Sequence, residues 1–172
     1  VPKLLWLATL FSTIVFTSTE SGFRLKSNKK RVIGQGVDTE FFKPRAKSFS
    51  NASALELITV GRLSPVKDYE TIIRAVQILS GKITPRLTII GGQGKEDQKH
   101  YAASLRLYVE NLKMTDSVRF MGALPNREIA EHLQKADFFV NASKTGSLDK
   151  AMLEAMACEL PVVTSNEALR EV

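Results

Sequence analysis

Residues Leu55 to Leu79 read L-E-L-I-T-V-G-R-L-S-P-V-K-D-Y-E-T-I-I-R-A-V-Q-I-L, and this segment alone indicates a fold class. Its first six residues are mainly apolar and β-branched, which predicts a strand that helices cover on both faces. After a short turn, apolar side chains return at the spacing of one helix face, at Tyr69, Ile72 and Val76. A strand, a turn and a helix in this order form the repeating unit of α/β proteins.

The same alternation extends in both directions along the chain. Segments of helical period follow the apolar runs at Leu87 to Ile90 and at Val118 to Phe120. The predicted strands are Thr13 to Phe16, Arg31 to Ile33, Leu55 to Val60, Leu87 to Ile90, Val118 to Phe120, Phe138 to Val140 and Val162 to Thr164. We therefore predict an α/β fold with a Rossmann-like parallel sheet and helices on both faces.

The composition excludes several classes of protein. A chain of 172 residues with 44% hydrophobic and 24% charged residues fits one globular domain and excludes a disordered or collagen-like chain. The formal net charge is +6, but residues 51–172 carry 15 basic and 15 acidic side chains, so the excess lies in the first fifty residues. A nucleic-acid partner is not expected, because such binding needs positive charge spread over a folded face.

The single cysteine and the N-terminal apolar run bear on location. Cys158 has no partner for an internal disulfide, which predicts a reducing, cytoplasmic compartment. The apolar run from Leu4 to Phe16 is interrupted by Thr9 and Ser12 and is shorter than the ~20 residues of a membrane helix. Peripheral contact with the inner face of the membrane stays open. Because the first residue is valine, we expect an internal segment of a longer protein.

The loop after the strand Leu55 to Val60 carries two cations. Open parallel sheets bind ligands beyond the carboxyl ends of their strands, which is where G-R-L-S-P-V-K, residues Gly61 to Lys67, is predicted to lie. Arg62 could grip a diphosphate through its planar guanidinium, and Lys67 could do so as a point charge. The alternative is two solvated charges on a turn.

The loop after Leu87 to Ile90 is rich in glycine. Absent Cβ atoms from Gly91 to Gly94 would let a ligand or a neighbouring backbone approach closely. A dinucleotide fingerprint would need a third glycine at position 97, which is Asp97, so a nicotinamide or flavin site is disfavoured. An ordinary strand-to-helix turn is the alternative.

A third candidate loop, N-A-S-K-T-G-S-L-D-K, runs from Asn141 to Lys150. Its hydroxyls and backbone N–H groups precede a helix, so Thr145, Gly146 and Ser147 could bind a phosphate or a sugar hydroxyl. Within that helix, Glu154 is a carboxylate among apolar neighbours, where an isolated charge is costly. It is either a site residue or a structural carboxylate with a partner.

The sequence contains no aspartate pair of the D-x-D kind, no H-E-x-x-H, no G-x-S-x-G and no P-loop. A metal-held diphosphate therefore has no obvious ligands, and no metal site is expected. Any phosphate site must depend on cations and backbone N–H groups.

Six motifs in order resemble the family 4 glycosyltransferases. They are G-V-D-T-E-F-F-K-P from Gly36, V-G-R-L-S-P-V-K-D, T-I-I-G-G-Q-G, V-R-F-M-G-A-L, A-D-F-F-V-N-A-S, and L-E-A-M-A-C followed by P-V-V. The resemblance implies a GT-B fold, in which two Rossmann-like domains face each other and the C-terminal one holds the donor. Residues 1–30 would be the end of the acceptor domain and the hinge. Residues 31–172 would be the donor-binding domain, the C-terminal half of that fold, truncated at its C-terminus.

The resemblance also assigns roles to residues. Arg62 and Lys67 would bind the donor diphosphate and stabilise the charge that grows on it, as the catalytic pair. Glu154 corresponds to the second glutamate of the family's pair and would accept hydrogen bonds from the ribose. The implied donor-binding set is Gly36, Gly61, Gly92, Gly94, Leu124, Thr145, Gly146, Ser147 and Glu154.

The sequence departs from the family at two positions. The family's first glutamate falls on Gly146, so Thr145 to Ser147 and Asp149 would serve the donor sugar instead. Glu159 stands where the family usually has glycine, so it must take a negative φ or strain the turn.

The expected activity is a retaining, metal-independent hexosyl transfer from a UDP-sugar or GDP-sugar to a glycan or lipid-linked acceptor. No cofactor is expected, and the partners would be donor, acceptor and the N-terminal domain of the same protein. The isolated segment should be inactive, because a closed two-domain cleft orients the substrates and excludes water. The alternatives are a GT-B sugar-nucleotide epimerase or phosphorylase, and a non-catalytic nucleotide-binding or partner subunit.

Overall fold

The computed structural model describes residues 3–45, 54–94, 96–144 and 147–171. Helices in these residues are α1 (Lys3–Phe11), α2 (Tyr69–Leu79), α3 (Glu96–Asn111), α4 (Asn126–Lys135) and α5 (Lys150–Ala157). Strands are β1 (Val15–Thr17), β2 (Lys30–Val32), β3 (Ala54–Val60), β4 (Thr84–Ile90), β5 (Val118–Gly122), β6 (Phe138–Asn141) and β7 (Val162–Thr164). Short 3-10 helices cover Pro65–Lys67 and Glu167–Glu171. Each predicted strand is present, with small shifts at its ends.

Within the described residues, β3 to β7 form one parallel sheet in the order β5-β4-β3-β6-β7. β4 pairs with β3 along its whole length, and β6 pairs with the opposite side of β3, where Phe138 lies beside Leu57. Helices cover both faces of this sheet. The predicted Rossmann-like fold class is therefore confirmed.

The first two predicted strands do not belong to the main sheet. β1 and β2 form a separate parallel pair, in which Val15 lies beside Lys30. The alternation of short apolar runs identified these strands but could not say which sheet each one joins, because pairing depends on contacts between distant segments. The predicted domain boundary between residues 30 and 31 falls inside β2, and the division into domains stays a prediction.

The core consists of two layers, one on each face of the sheet. Consecutive residues of β3 serve opposite layers: Leu57 packs on the side of α2 and α3, and Ile58 on the side of α4 and α5. Tyr69, Ile73, Leu87 and Leu105 belong to the first layer, and Ile90, Leu133, Phe139 and Met152 to the second. Full burial of a Leu, Ile, Phe or Met side chain contributes roughly 1.5–3 kcal/mol to the stability of the fold. This burial on both faces explains why the strands are mainly apolar.

The order of the strands in the sheet reverses at one point, between β3 and β6. The chain runs from β3 to β4 to β5 in one direction and then returns to β6 on the other side of β3. A crevice opens between the carboxyl ends of β3 and β6 at such a reversal, and ligands of open α/β sheets bind there. A ligand site is therefore expected at the loops that follow β3 and β6.

Helix α1 stands outside both core layers. It has nine residues, and none of its side chains is buried. None of the helices in the described part of the chain has the length and apolar character required to cross a bilayer.

Candidate functional site

The loops after β3 and β6 lie side by side beyond the sheet. The Lys144 backbone N–H donates to the Val66 carbonyl at 2.9 Å, and the Lys144 ammonium lies 2.9 Å from a carboxylate oxygen of Asp68. Lys67, from the β3 loop, forms an ion pair with Asp149, from the β6 loop. The topology thus joins two of the loops that the sequence analysis selected separately.

Arg62 extends from a backbone that is held on both sides. Gly61 N–H donates to the Ile90 carbonyl at 2.9 Å, and Leu63 N–H donates to the Gly92 carbonyl at 3.1 Å. The Leu63 side chain is buried, whereas Arg62 is exposed. Among the described residues, no hydrogen bond or ion pair engages the Arg62 guanidinium. A rigid backbone therefore presents a cation that is available to an anion.

Lys67 has different surroundings from Arg62. It ends the 3-10 helix Pro65–Lys67, and its side chain crosses directly over Gly61. A Cβ atom at Gly61 would lie 3.1 Å from Lys67 Cε and 3.4 Å from its Nζ, so a side chain at position 61 would crowd the ammonium. The Tyr69 hydroxyl donates a hydrogen bond to the Gly61 carbonyl at 2.7 Å, which fixes the position of this glycine. Lys67 is thus a largely covered, paired cation and not a solvated one.

Asp149 connects Lys67 to the ends of two strands. Its Oδ2 accepts from Lys67 Nζ and, at 3.1 Å, from Asn141 Nδ2. Asn141 Oδ1 in turn accepts from the Ser143 N–H at 3.0 Å and from the Thr164 hydroxyl at 3.2 Å. The sequence predicts a role for Asp149 at the donor sugar, but no sequence signal predicts its contact with Lys67 or the part that Asn141 plays.

The glycines of the predicted site differ in how closely other atoms approach them. A Cβ atom at Gly91 would lie 1.8 Å from the Gly61 carbonyl oxygen, so only glycine fits there, and the approaching group is a neighbouring backbone. Gly92 has the Ala123 methyl 3.2 Å from the position of an added Cβ atom. Around Gly94 and Gly36, no described atom lies within 4 Å of such a position. Gly91 was part of the predicted turn but was not among the selected site residues.

The loop after β5 turns at a glycine. Gly122 has a φ of 75°, and its carbonyl accepts from Gly91 N–H at 2.8 Å, which ties the ends of β4 and β5 together. Leu124 is half-buried and packs partly against the core layer that contains α4 and α5. One side of Leu124 thus supports the fold.

The loop before α5 is described only in part. Thr145 and Gly146 lie outside the described residues. Ser147 is exposed, and its carbonyl accepts a hydrogen bond from Asn166 Nδ2 at 3.1 Å. This contact ties the start of α5 to the segment after β7.

Glu154 is a buried carboxylate on α5. Its Oε1 lies 3.6 Å from the Lys150 ammonium one turn earlier, and that lysine is half exposed. Burial raises the pKa of Glu154, the positive charge of Lys150 lowers it, and Asp149 adds a smaller upward effect. The carboxylate thus has a protein partner, although burial has the larger effect on its pKa.

Within the described ranges, no group of three or more His, Cys, Asp or Glu side chains could hold a metal ion. Charge at the crevice comes from Arg62, Lys67 and Lys144, and from Asp149 and Asp68, the carboxylates that pair with the two lysines. Cys158, the C-cap residue of α5, is buried, and burial raises the pKa of its thiol.

A parallel α/β domain with cationic loops at the reversal of its strand order resembles known glycosyltransferase structures. HepE from Anabaena, solved in complex with UDP and glucose, matches with a TM-score of 0.81 and 20% identity, over 94% of this chain and 47% of HepE. The C-terminal domain of a glycosyl transferase group 1 family protein, LpcC from Francisella tularensis, matches with a TM-score of 0.67 and 22% identity, over 79% of this chain and 74% of that domain. At these identities the likeness concerns the fold, which is one half of the GT-B type.

Sequence comparison identifies the family. The family model described as Glycosyl transferases group 1 matches residues 40–170. A D-inositol 3-phosphate glycosyltransferase from Kineococcus radiotolerans is 31% identical over 146 residues, which cover 78% of this chain and 33% of the relative. The chain belongs to the group 1 glycosyl transferases, and the resemblance drawn from the motifs is confirmed. The chain spans about a third of the length of the curated relatives it matches.

Proposed function

We propose that this chain is the donor-binding half of a retaining hexosyltransferase that uses a UDP-sugar or GDP-sugar and needs no metal ion. The observation that carries the proposal is the pair of cations beyond β3: Arg62 is exposed without a described partner, and Lys67 is fixed at the same strand end. Family membership supports glycosyl transfer, and the crevice between β3 and β6 supports the location.

The two cations supply the chemistry that a metal ion would supply elsewhere. Negative charge grows on the diphosphate leaving group as the glycosidic bond breaks, and fixed positive groups stabilise it. Arg62 can donate two parallel N–H bonds to one phosphate. Lys67 donates to Asp149 with one of its three protons, which leaves donors for the diphosphate. Retention of configuration follows from the family resemblance.

The remaining site residues would bind the rest of the donor. Glu154 would accept hydrogen bonds from the ribose hydroxyls. Thr145, Gly146 and Ser147 would serve the sugar, for which the family's first glutamate is missing. The half-buried Leu124 and the open space at Gly94 are suited to a flat base and a close backbone contact.

The acceptor would be a glycan or a lipid-linked sugar, bound by a second domain of the same protein. We place the protein in the cytoplasm, with peripheral contact at the inner face of the membrane. Exposed Trp6 and Phe11 on α1 support such contact, because aromatic side chains favour the interface between lipid and water.

Nucleotide titration tests the proposal. Calorimetry with UDP and with GDP should detect binding of one of them, unchanged by EDTA. Arg62→Ala should weaken this binding, whereas Arg86→Ala, which removes an exposed arginine paired with Glu56 in the sheet, should not. Loss of binding on chelation would contradict metal independence, and failure to bind either nucleotide would contradict donor binding.

A further inference from the structure

The ion pair between Lys67 and Asp149 is less exposed to solvent than the pair between Lys144 and Asp68 at the same crevice. The Lys67 and Asp149 side chains are 17% and 13% exposed, and the residues lie 82 positions apart in the sequence. The Lys144 side chain in the pair with Asp68 is 70% exposed. A largely covered pair holds its geometry better than a solvated one, because water competes less for each partner.

The Asp149 carboxylate is itself fixed in place. Asn141, the last residue of β6, donates to its Oδ2, and Thr164, the last residue of β7, donates to Asn141 Oδ1. A chain of hydrogen bonds therefore runs from the ends of two strands to the Lys67 ammonium. This arrangement fixes the end of a long and otherwise flexible side chain.

Asp149 also occupies a position where its carboxylate ordinarily does something else. It is the N-cap residue of α5, where an aspartate side chain usually accepts a backbone N–H of the first turn. Within the described residues, it makes no such bond and pairs with Lys67 instead. Helix α5 therefore lacks the side-chain cap that its sequence provides, and Lys67 and Asn141 engage the Asp149 carboxylate instead.

We propose that Asp149 is a positioning residue, which fixes the Lys67 ammonium where the second phosphate of a nucleoside diphosphate binds. The inference rests on the function proposed above. A lysine that is already ordered loses little rotamer freedom when the diphosphate arrives, whereas a released lysine must lose it on binding. Asp149 would therefore support the preference of the site for a diphosphate over a monophosphate.

The sign of this effect separates positioning from plain electrostatics. A carboxylate near an anion site repels the anion, and more strongly when the anion carries more charge. Removal of Asp149 would then increase the preference for a diphosphate. If Asp149 acts by holding Lys67, its removal decreases that preference.

The test is the ratio of the dissociation constants of UDP and UMP, or of GDP and GMP, whichever pair the unaltered chain binds more tightly. Lys67→Met should reduce the preference for the diphosphate about tenfold, a change of about 1.4 kcal/mol. Asp149→Asn should reduce it about fivefold, and the double variant should fall no further than Lys67→Met, because the two residues act as one unit. Lys144→Ala, which breaks the exposed pair with Asp68, should leave the ratio unchanged.

Asp149→Ser provides a second variant if Asp149→Asn does not fold, because serine is also a good N-cap residue and carries no charge. The inference alone is overturned if Lys67→Met lowers the preference while the Asp149 variants raise it or leave it unchanged. It is also overturned if the Asp149 variants weaken both nucleotides equally and only lower the melting temperature. An unaltered chain without preference for the diphosphate would overturn the proposed function as well.

Discussion

Arg62 and Lys67 belong to the same loop, yet the fold gives them different surroundings. Arg62 is exposed, and Lys67 is largely covered and paired with Asp149. Their side chains can therefore contribute in a similar way to diphosphate binding and in different ways to the stability of the free protein. Stability measurements on single variants can distinguish these contributions without any ligand.

Lys67→Ala should lower the free energy of unfolding by about 1–3 kcal/mol, because it leaves the Asp149 carboxylate largely covered and without its cation. Arg62→Ala should change it by less than about 0.5 kcal/mol, the usual effect of a surface substitution. Urea denaturation of both variants checks this difference. Equal stability of the two variants would show that the ion pair does not persist in solution.

Glu154→Gln should raise the stability of the ligand-free domain at pH 7. Burial raises the pKa of the folded carboxyl, so the neutral form is favoured. The stability associated with this group is complete below the ordinary carboxyl pKa of about 4.3 and is lost as pH rises through the raised folded value. The gain from glutamine should therefore shrink toward zero as pH falls from 7 to 4. Melting curves across this range measure it, and a gain independent of pH would contradict the titration argument.

The same variant tests the ribose role proposed for Glu154. Glu154→Gln should weaken UDP by about 1.5–3 kcal/mol, the scale of hydrogen bonds to a charged group, and leave pyrophosphate nearly unaffected. Comparison of UDP, 2'-deoxy-UDP and pyrophosphate by calorimetry provides the measurement. If the unaltered domain binds UDP and 2'-deoxy-UDP equally, Glu154 has no role in binding the ribose.

Two helices end in the same way. After α5, Leu160 N–H donates to the Ala155 carbonyl and Glu159 N–H to the Met156 carbonyl, which together form a Schellman motif. After α3, Met114 and Lys113 make the equivalent bonds to Val109 and Glu110. The residue in the left-handed region has a φ of 56° in both cases, Glu159 in one and Lys113 in the other. Of the two outcomes expected for Glu159, the structure shows the strained one.

Glu159→Gly and Lys113→Gly should each stabilise the domain by about 0.5–1 kcal/mol. Glycine removes a left-handed strain of roughly 1–2 kcal/mol, and its greater freedom in the unfolded chain offsets part of the gain. Thermal unfolding measures the effect, and Glu159→Ala is the control because it keeps the Cβ atom. A gain from alanine equal to that from glycine would assign the effect to the lost charge.

The chain carries the cations of the proposed site but corresponds to only part of the proteins it resembles. Arg62 and Lys67 lie at the point where the strand order reverses, between β3 and β6. The chain spans about a third of its curated relatives and 47% of HepE, so the greater part of such proteins has no counterpart here. When this chain is studied alone, it should therefore keep nucleotide binding and lose sugar transfer.

The isolated chain should bind the nucleotide with an affinity within about tenfold of that of the complete protein, because the cations are present and held in place. Its rate of sugar transfer should be undetectable, since orientation in a closed cleft contributes about 7–11 kcal/mol to such reactions. Calorimetry and a transfer assay with radiolabelled donor check both parts. Transfer by the isolated chain would contradict the need for a second domain. A complete protein that binds but does not transfer would favour the partner-subunit alternative.

The sequence by itself determined the strands, the helices that follow them, the family, the loop that carries Arg62 and Lys67, and the helix that carries Glu154. Each of these depends on local periodicity or on the order of short motifs, and a single chain displays both. The general rule that ligands bind beyond parallel strands then placed the cations at the correct edge of the sheet.

Only the tertiary structure decided how those loops meet. Strand order put β6 beside β3, which brought Asp149 to Lys67 across 82 residues, and no local pattern specifies that contact. The close approach of Gly91 to the Gly61 carbonyl and the pairing of β2 with β1 depend on the same long-range packing. The left-handed φ of Glu159 results from how α5 ends, because hydrogen bonds to Ala155 and Met156 fix the turn whichever residue occupies it. The contacts between Asp149 and Lys67, between Gly91 and Gly61 and between β1 and β2 each join separate segments of the chain, so no local stretch of the sequence specifies them.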